Sequence, residues 1–413
     1  MALKSFAPFR HRGYLLVWSG ALISNIGTWM ETTALSYYVA NTSSAAASGL
    51  VAAAGFVPTA LLGPLGGAWA DRFDRRKVIA LANAAFAVVA ATVATLVATG
   101  HATPARLAVL SLLGGCMSAM SWPSFQAVLP DLVPPEDLVA AIGLASTQWN
   151  LGRILGPSAA AIAIAIGGVP AALWVNAASF LAVIAAVMLA PIPVRPSVRR
   201  KVRVAIGDAV SFARTTPAVR AMVPIMVVVV LVASPFLGLV AQMATNVFGA
   251  NQAGTSLLVT AQGIGAVAAG ASMGSLSGRF GVRRVLVMSV LVMVPALIAY
   301  GAAPTIGVAA VALVVAGGCY MGTLSSCTSI TQRSASAEQR GRAMIVNNFI
   351  LGAAYPIGVL LQGVVADHTS LRFVTIGSGV VLGVCAGAVA LLRPRHTDPI
   401  AVLDGPATIA AAG

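Results

Sequence analysis

The chain has 413 residues and a formal net charge of +14, yet only 9% of its residues are charged and 58% are hydrophobic. A soluble domain carries about 25% charged residues, so this composition excludes an ordinary water-soluble enzyme or regulator. The mean hydropathy of +0.91 indicates a protein built for lipid.

The basic residues are distributed as in a polytopic membrane protein. Of the 25 Lys and Arg residues, 22 fall in the N-terminus, in four predicted cytoplasmic segments or in the C-terminal tail. This positive-inside pattern predicts a multi-pass protein of the plasma (inner) membrane with both termini in the cytoplasm. No nucleic-acid partner is expected, because a basic nucleic-acid face needs a soluble fold. The basic central segment is expected to contact anionic membrane lipid.

Apolar stretches of about 20 residues predict an all-α protein with 12 transmembrane helices. The predicted halves are an N-terminal six-helix half at 1–190 and a C-terminal six-helix half at 221–392. A basic cytoplasmic linker at 191–220 separates them, and a disordered cytoplasmic tail is predicted at 393–413. Pro123 is expected to break span 4. The predicted spans 1 to 12 are 14–39, 48–69, 78–99, 107–128, 139–166, 171–190, 221–247, 255–276, 285–303, 307–331, 344–366 and 373–392.

A charged loop between spans 2 and 3 has a second copy in the chain. Residues 71–77 hold six charges, which cannot lie in hydrocarbon, so they form a water-side loop. The frame recurs 207 residues later, about half the chain length. This repeat predicts two pseudo-symmetric halves. The residues Gly63, Gly67, Arg72, Phe73, Arg76 and Val78 recur as Gly270, Gly274, Arg279, Phe280, Arg283 and Val285.

The same loop carries a family resemblance over essentially the whole chain. The run Gly67-x-x-Ala70-Asp71-Arg72-x-x-Arg75-Arg76-Lys77 resembles the loop 2–3 signature of the major facilitator superfamily, with Asp74 where that family usually has Gly. The longer run 61–78 is most similar to the branch of the enterobactin exporter and the macrolide efflux proteins. The resemblance implies the major facilitator fold and a monomer.

The resemblance also implies that Asp71, Arg72, Arg75 and Arg76 act in gating. Asp71 is expected to face the positively polarised N-terminus of span 11 and to latch the cytoplasmic side. Gly278 replaces Asp71 in the second copy, so a second latch is expected to be weaker. The alternative is a plain loop whose arginines only set topology.

Span 5 resembles the antiporter signature of the same superfamily. The spacing of Gly143, Gly152, Gly156 and Pro157 matches that signature, with Ala160-Ala161 in place of its closing Gly-Gly. Glycines four residues apart let a neighbouring helix approach closely, and a proline bends the helix. This resemblance favours export in exchange for an inward-moving ion over uptake.

Two charges lie well inside predicted spans: Glu31 and Arg153. Ionisable groups in the membrane are costly, so they are functional by default. At about 1.5 Å per residue the two lie within about one turn of equal depth, and we expect them to interact. Burial favours the protonated acid, and a nearby arginine favours the carboxylate. Proton coupling requires that the balance between these two effects changes as the cavity opens. The alternatives are a static ion pair and direct binding of an anionic substrate by Arg153.

The substrate cavity is expected near the midplane, lined by spans 1, 4, 7 and 10 as in the superfamily. No cofactor and no metal are expected, because the cysteines lack CxxC spacing and the histidines lie at span ends or in tails. No segment matches GxxxxGK[ST], so ATP is not the expected direct energy source. The predicted cavity residues are Asn25, Trp122, Gln126, Gln242, Tyr320 and Asn348.

These observations predict a secondary transporter and not an enzyme. It is expected to export a small organic molecule, such as a siderophore, a macrolide-like drug or a secondary metabolite, by proton antiport and alternating access. A proton-coupled uptake symporter and a transporter-like sensor without flux remain alternatives. A membrane enzyme is disfavoured because the acidic group of Asp131, Glu136 and Asp137 is not expected to have a histidine or a nucleophile nearby.

Overall fold

The computed structural model describes residues 6–192, 202–336, 339–392 and 400. Within these ranges every regular element is a helix, which confirms the predicted all-α class. The principal helices are α1 Arg12–Thr42, α2 Ala45–Arg72, α3 Arg75–Ala98, α4 Pro104–Val128, α5 Leu138–Leu189, α6 Val202–Thr215, α7 Pro217–Val228, α8 Gln252–Phe280, α9 Val282–Ala302, α10 Ile306–Arg333, α11 Arg340–His368 and α12 Leu371–Leu392.

In this part of the chain, nine helices are long and apolar enough to cross a membrane, and a bent helix pair makes up to ten. Helix α5 is counted once, but its backbone leaves the helical range at Gly167 and Gly168, where Gly168 has φ 71°. This glycine turn divides α5 into two arms, each long enough to span a bilayer core of about 30 Å. Helix α1, with 31 residues, is also long enough to cross a bilayer core.

The two copies of the charged loop occupy equivalent places. Helix α2 ends at Arg72 and α3 begins at Arg75, while α8 ends at Phe280 and α9 begins at Val282. Each copy is therefore a tight turn between two long helices, as predicted. Span 4 differs from its prediction, because α4 continues through Pro123 to Val128 without a break.

Span 7 is the largest departure from the predicted helices. It was predicted as one helix over 221–247, but α7 ends at Val228 and is followed by a π turn at Val229–Ala233 and a 3-10 turn at Ser234–Leu237. A further π turn covers Met243–Val247. Pro235 lacks the backbone N–H that a continuous α-helix needs there. The span is therefore helical to Ala233 and breaks into short turns only after it.

The central linker contains a helix of its own. Helix α6 buries Ala209 and Phe212 and meets α7 at a bend of 103°. An amphipathic helix that precedes a span at such an angle is typical of a segment in the membrane interface. The basic residues at 195–201 and the predicted tail at 393–399 and 401–413 lie outside the described residues.

The chain divides into two compact units. Unit 1 comprises Met1–Ser43, Ala54–Val202 and Asn251–Thr260, and unit 2 comprises Ser44–Ala53, Arg203–Ala250 and Ala261–Gly413. Each unit therefore takes in a short piece of helix from the opposite half of the sequence. The offset from Ser44 to Asn251 is the same 207 residues that separates Gly63 from Gly270. The division thus follows the internal repeat, while the six-helix boundaries remain a prediction.

In unit 1, helix α1 packs against both arms of α5. A Cβ added at Gly152 would lie 2.8 Å from the Cβ of Asn25, and one added at Gly20 would lie 2.7 Å from the Cβ of Ala186. At the N-terminal end of α1, the hydroxyl of Tyr14 donates to the carbonyl of Ala141 at 2.8 Å. These contacts fix the depth and rotation of α1 between the arms.

In unit 2, small residues again allow close helix crossings. A Cβ added at Gly317 of α10 would lie 3.1 Å from the carbonyl carbon of Gln262 of α8. At the start of α12, Arg372 donates to the carbonyls of Gly301 and Ala303 at 3.0 and 2.8 Å, which satisfies free carbonyls at the end of α9.

Candidate functional site

Glu31 lies on α1 against the second arm of α5. Its carboxylate accepts a hydrogen bond from the side-chain amide of Asn176, which is fully buried. The hydroxyl of Ser179 donates to the backbone carbonyl of Asn176 at 2.8 Å. Gly27 lies one turn before Glu31, and an added Cβ there would meet Asn176 and Ser179. The close crossing of the two helices therefore places the amide against the carboxylate.

Arg153 lies on the first arm of α5 and contacts a different face of α1. Its guanidinium carbon is 5.4 Å from the centroid of the Trp29 ring, in a cation–π arrangement. Residues two apart on a helix point in nearly opposite directions, so Trp29 faces the first arm while Glu31 faces the second. The two charges thus lie at similar depth, as predicted, and their direct interaction stays a prediction.

A row of aromatic rings extends from Arg153 across three spans; we call Trp29, Trp149, Trp122 and Phe125 the aromatic row. The ring centroids of Trp29 and Trp149 are 6.1 Å apart, and those of Trp149 and Trp122 are 5.3 Å apart. Both pairs meet edge to face. Trp122 stacks on Phe125 at 6.3 Å. Trp122 is 45% exposed and Trp149 is 39% exposed. The row therefore leaves the rings of Trp122 and Trp149 partly uncovered.

Two buried side-chain donors, one on α1 and one on the first arm of α5, have no partner in the described part of the chain. The indole nitrogen of Trp29 and the side-chain amide nitrogen of Gln148 are buried without a hydrogen-bond partner among the described residues. Buried donors of this kind are usually paired, so both nitrogens can accommodate a further acceptor. Across the described ranges, no group of three or more His, Cys, Asp or Glu residues could hold a metal ion.

The antiporter-like motif packs as its spacing predicts at two of its three glycines. Gly152 and Gly156 are buried against Asn25 and against Trp29 and Met30 of α1. Pro157 is buried in the same arm. At Gly143, by contrast, an added Cβ would have no described atom within 4 Å. The motif thus seats α1 next to the aromatic row, while its link to antiport remains a prediction.

The basic loop after α2 is tied to unit 1 by its arginines. Arg75 forms an ion pair with Asp131 at 2.9 Å, and the Asp131 side chain is only 3% exposed. Arg76 donates to the carbonyl of Ala190 at 2.7 Å. Asp74 caps α3 by accepting from the backbone of Arg76. The side chains of Asp71 and Arg72 lie outside the described part, so the gating role of the four residues stays a prediction.

One expectation about the acidic loop is wrong. No histidine was expected near Asp131, Glu136 and Asp137, but His11 Nε2 lies 2.9 Å from Asp137 Oδ2. His11 immediately precedes α1, and the packing of α1 on α5 brings it to the start of α5. A distance of 126 residues along the chain hides this contact from sequence inspection.

The predicted cavity residues occupy different environments. Asn25 packs on Gly152, while Gln126 and Asn348 are exposed. Gln242 is fully buried and donates to Ser44 and Ser48, so in this structure its amide joins helices. Tyr320 is 4% exposed and packs edge to face on Phe236 at 6.1 Å. Their role in binding substrate stays a prediction.

Sequence reasoning missed Asn176, Trp149 and Gln148. Trp149 lies four residues before Arg153 and therefore on the same helix face, which is a signal that was available. Asn176 also left a signal in the sequence, because it is a polar residue within predicted span 6. Its pairing with Glu31 depends on which face of the second arm turns toward α1, and sequence alone does not show that.

Comparison with known proteins identifies the fold and the family. The profile of the family described as transmembrane secretion effector matches residues 3–403. Macrolide efflux protein A of Streptococcus pyogenes is 24% identical over 388 residues, covering 91% of this chain and 94% of the relative. Multidrug efflux pump Tap of Mycolicibacterium fortuitum is 25% identical over 397 residues, covering 92% and 95%.

Solved structures confirm the predicted fold. The nucleoside transporter NupG matches with a TM-score of 0.75 at 14% identity, covering 93% of this chain and 100% of that chain. A bacterial homologue of the human lysosomal transporter Spinster matches with a TM-score of 0.73 at 16% identity, covering 93% and 97%. The family match over residues 3–403 makes this chain a multi-pass membrane transporter and not an enzyme. It belongs to the transmembrane secretion effector family of the major facilitator superfamily.

Proposed function

We propose that this protein exports a bulky, mostly apolar organic molecule, of the macrolide or lipophilic drug type, in exchange for protons. The observation that carries the proposal is that Glu31 shares helix α1 with Trp29, the first ring of the aromatic row. A titratable carboxylate and an apolar ring surface are thereby linked through one rigid element, so occupancy of one can change the environment of the other.

Glu31 is suited to bind and release a proton. Its carboxylate accepts from the Asn176 amide, a neutral donor that remains compatible with either protonation state of the acid. A carboxylate inside a membrane protein is costly to keep charged, which favours exchange with water when the site opens. We propose that it takes up a proton from the outer side and releases it to the cytoplasm while substrate moves outward.

The aromatic row is suited to an apolar substrate. Exposed tryptophan faces provide large contact area with geometric tolerance, and the unpaired donors of Trp29 and Gln148 supply polar contacts for carbonyl or hydroxyl oxygens. Export of macrolides and drugs is what the names of two relatives state for those proteins. A partial match to the staphyloferrin A transporter of Staphylococcus aureus keeps siderophores in the test panel, at 28% identity over 37% of this chain.

We further propose that the protein lies in the plasma (inner) membrane with both termini in the cytoplasm, as the positive-inside pattern predicts. Export then requires substrate entry from the cytoplasm or the inner leaflet.

The test uses inside-out vesicles with an imposed acid-inside pH gradient and a panel of macrolides, cationic dyes and siderophores. Substrate-dependent collapse of the gradient is the expected result for the unaltered protein. Glu31→Gln is expected to abolish the collapse while the fold is kept, because the new amide oxygen still accepts from Asn176. Glu136→Gln is the matched control, since it makes the same change at an exposed loop position.

The possible outcomes separate the parts of the proposal. If no compound collapses the gradient, proton antiport is wrong. If Glu31→Gln responds to substrate like the unaltered protein, coupling does not occur at Glu31. If only siderophores act, the apolar substrate class is wrong while antiport stands.

A further inference from the structure

The first turn of α2 is held by a carboxylate from a distant helix. Asp367 Oδ1 accepts from the backbone N–H of Ala45 at 2.8 Å, and Oδ2 accepts from that of Ala46 at 3.0 Å. These N–H groups open helix α2 and have no partner within it. Asp367 itself lies in the last turn of α11, where the helix dipole disfavours a negative charge. Its position is explained by the N-terminus of α2 and not by its own helix.

Close packing surrounds this carboxylate contact, all within unit 2. A Cβ added at Gly363 would lie 2.6 Å from the carbonyl oxygen of Ala45, and one at Gly49 would lie 2.7 Å from that of Val359. The buried amide of Gln242 donates to the carbonyl of Ser44 at 2.9 Å and to the hydroxyl of Ser48 at 3.0 Å. We call Asp367, Gln242, Gly49 and Gly363 the α2 clasp.

The repeat shows that this contact is particular to α2. Helix α8 begins at the equivalent position, 207 residues later, and Asn251 caps it locally by accepting from Ala253 and Gly254 at 3.1 and 3.3 Å. Counting back the same offset from Asp367 leads to Ala160, which has no carboxylate. A helix start of this kind therefore does not require a distant acid, although α2 has one.

We propose that Asp367 is a positioning residue of the transport cycle that holds the outer end of α2 to α11 and releases it when the protein opens outward. The Ala45 end of α2 lies opposite the basic loop at Arg72, which places the clasp on the outer side. Alternating access requires that outer ends of helices separate in one half of the cycle. The Asp367 carboxylate accepts two hydrogen bonds at the positive end of the α2 dipole. Because all of these interactions converge on one carboxylate, they form together and break together.

The inference rests on family membership and on the proposed cytoplasmic position of the basic loop, and it is independent of export direction and of the coupled ion. The test therefore measures opening and not transport. In a Ser48→Cys background, intact cells are treated with a membrane-impermeant maleimide, and the labelling rate of the introduced thiol is measured. Ser48 is 7% exposed in the clasped state, so labelling at this position reports release of α2. The same chain without the substitution at Ser48 gives the labelling rate of the four native cysteines, which is subtracted.

Asp367→Asn removes the charge and presents an N–H group to one of the two backbone donors. We expect labelling to rise about fivefold to thirtyfold, the effect of losing a helix cap. Gly363→Ala is expected to act in the same direction without any change of charge, because its new Cβ meets the backbone of Ala45. It keeps the test valid if the Asp367 variant fails to fold.

Two controls match these changes. Gly377→Ala adds the same methyl group in α12, where nothing lies within 4 Å, and Glu136→Gln makes the acid-to-amide change in a cytoplasmic loop. Both are expected to label at the rate of the Ser48→Cys background. Faster labelling in Asp367→Asn and Gly363→Ala alone supports the clasp. Labelling at the background rate in both of these variants would show that the contact is passive packing and would overturn the proposal.

Discussion

Gly152→Ala gives the sharpest test of how α1 is seated beside the candidate site. The new Cβ would lie 2.8 Å from the Cβ and 3.1 Å from the carbonyl carbon of Asn25. Neither atom is the end of a flexible side chain, so α1 and α5 must move apart. Overpacking of this kind costs about 1–3 kcal/mol. The higher helix propensity of alanine returns about 1 kcal/mol.

The matched variant Gly143→Ala isolates the clash. It lies on the same arm of α5 and gains the same helix propensity, but its Cβ meets nothing within 4 Å. The two variants should therefore differ in free energy of unfolding by the clash alone, about 1–3 kcal/mol. Thermal unfolding in detergent, followed by tryptophan fluorescence, should show Gly152→Ala melting lower, by about 2–4 °C per kcal/mol for a domain of roughly 150–250 residues.

The result also has a functional side. Separation of α1 from α5 should disturb the contact of Trp29 with Arg153 and lower the rate of substrate-dependent proton movement in Gly152→Ala vesicles. Gly143→Ala should transport like the unaltered protein. Equal melting temperatures for the two variants would refute the reasoning, because the clash would then be relieved without cost.

Two further predictions concern single contacts in unit 1. Asp131→Asn should lower the free energy of unfolding by about 1.5–3 kcal/mol, because it weakens a charge-assisted bond to Arg75 at a site only 3% exposed; denaturant midpoints that match those of Glu136→Gln would contradict this. Trp122→Ala should raise the KM for macrolides several-fold with little loss of stability, since its ring is 45% exposed. Trp174→Ala, with a ring 47% exposed elsewhere in unit 1, is the control, and an equal KM in both variants would exclude Trp122 from the binding surface.

Much of the fold could be predicted from the sequence because membrane helices are specified locally. Each stretch of about 20 apolar residues must satisfy its own backbone in lipid, so hydropathy alone places most helices. The repeat of Gly63 as Gly270 correctly located two equivalent turns. Where local backbone chemistry is unusual, the prediction failed: α4 continues through Pro123, while span 7 breaks into short turns around Pro235.

The partners of the site residues were decided only by the tertiary structure. Composition and depth singled out Glu31 and Arg153, but which helix face approaches each one is a non-local property of packing. Asn176 reaches Glu31 from 145 residues away, and Asp367 reaches Ala45 from 322 residues away. Hydropathy and charge act on each segment by itself and determine what crosses the membrane, whereas small residues such as Gly27 and Gly363 determine which helices come close enough for a hydrogen bond to form.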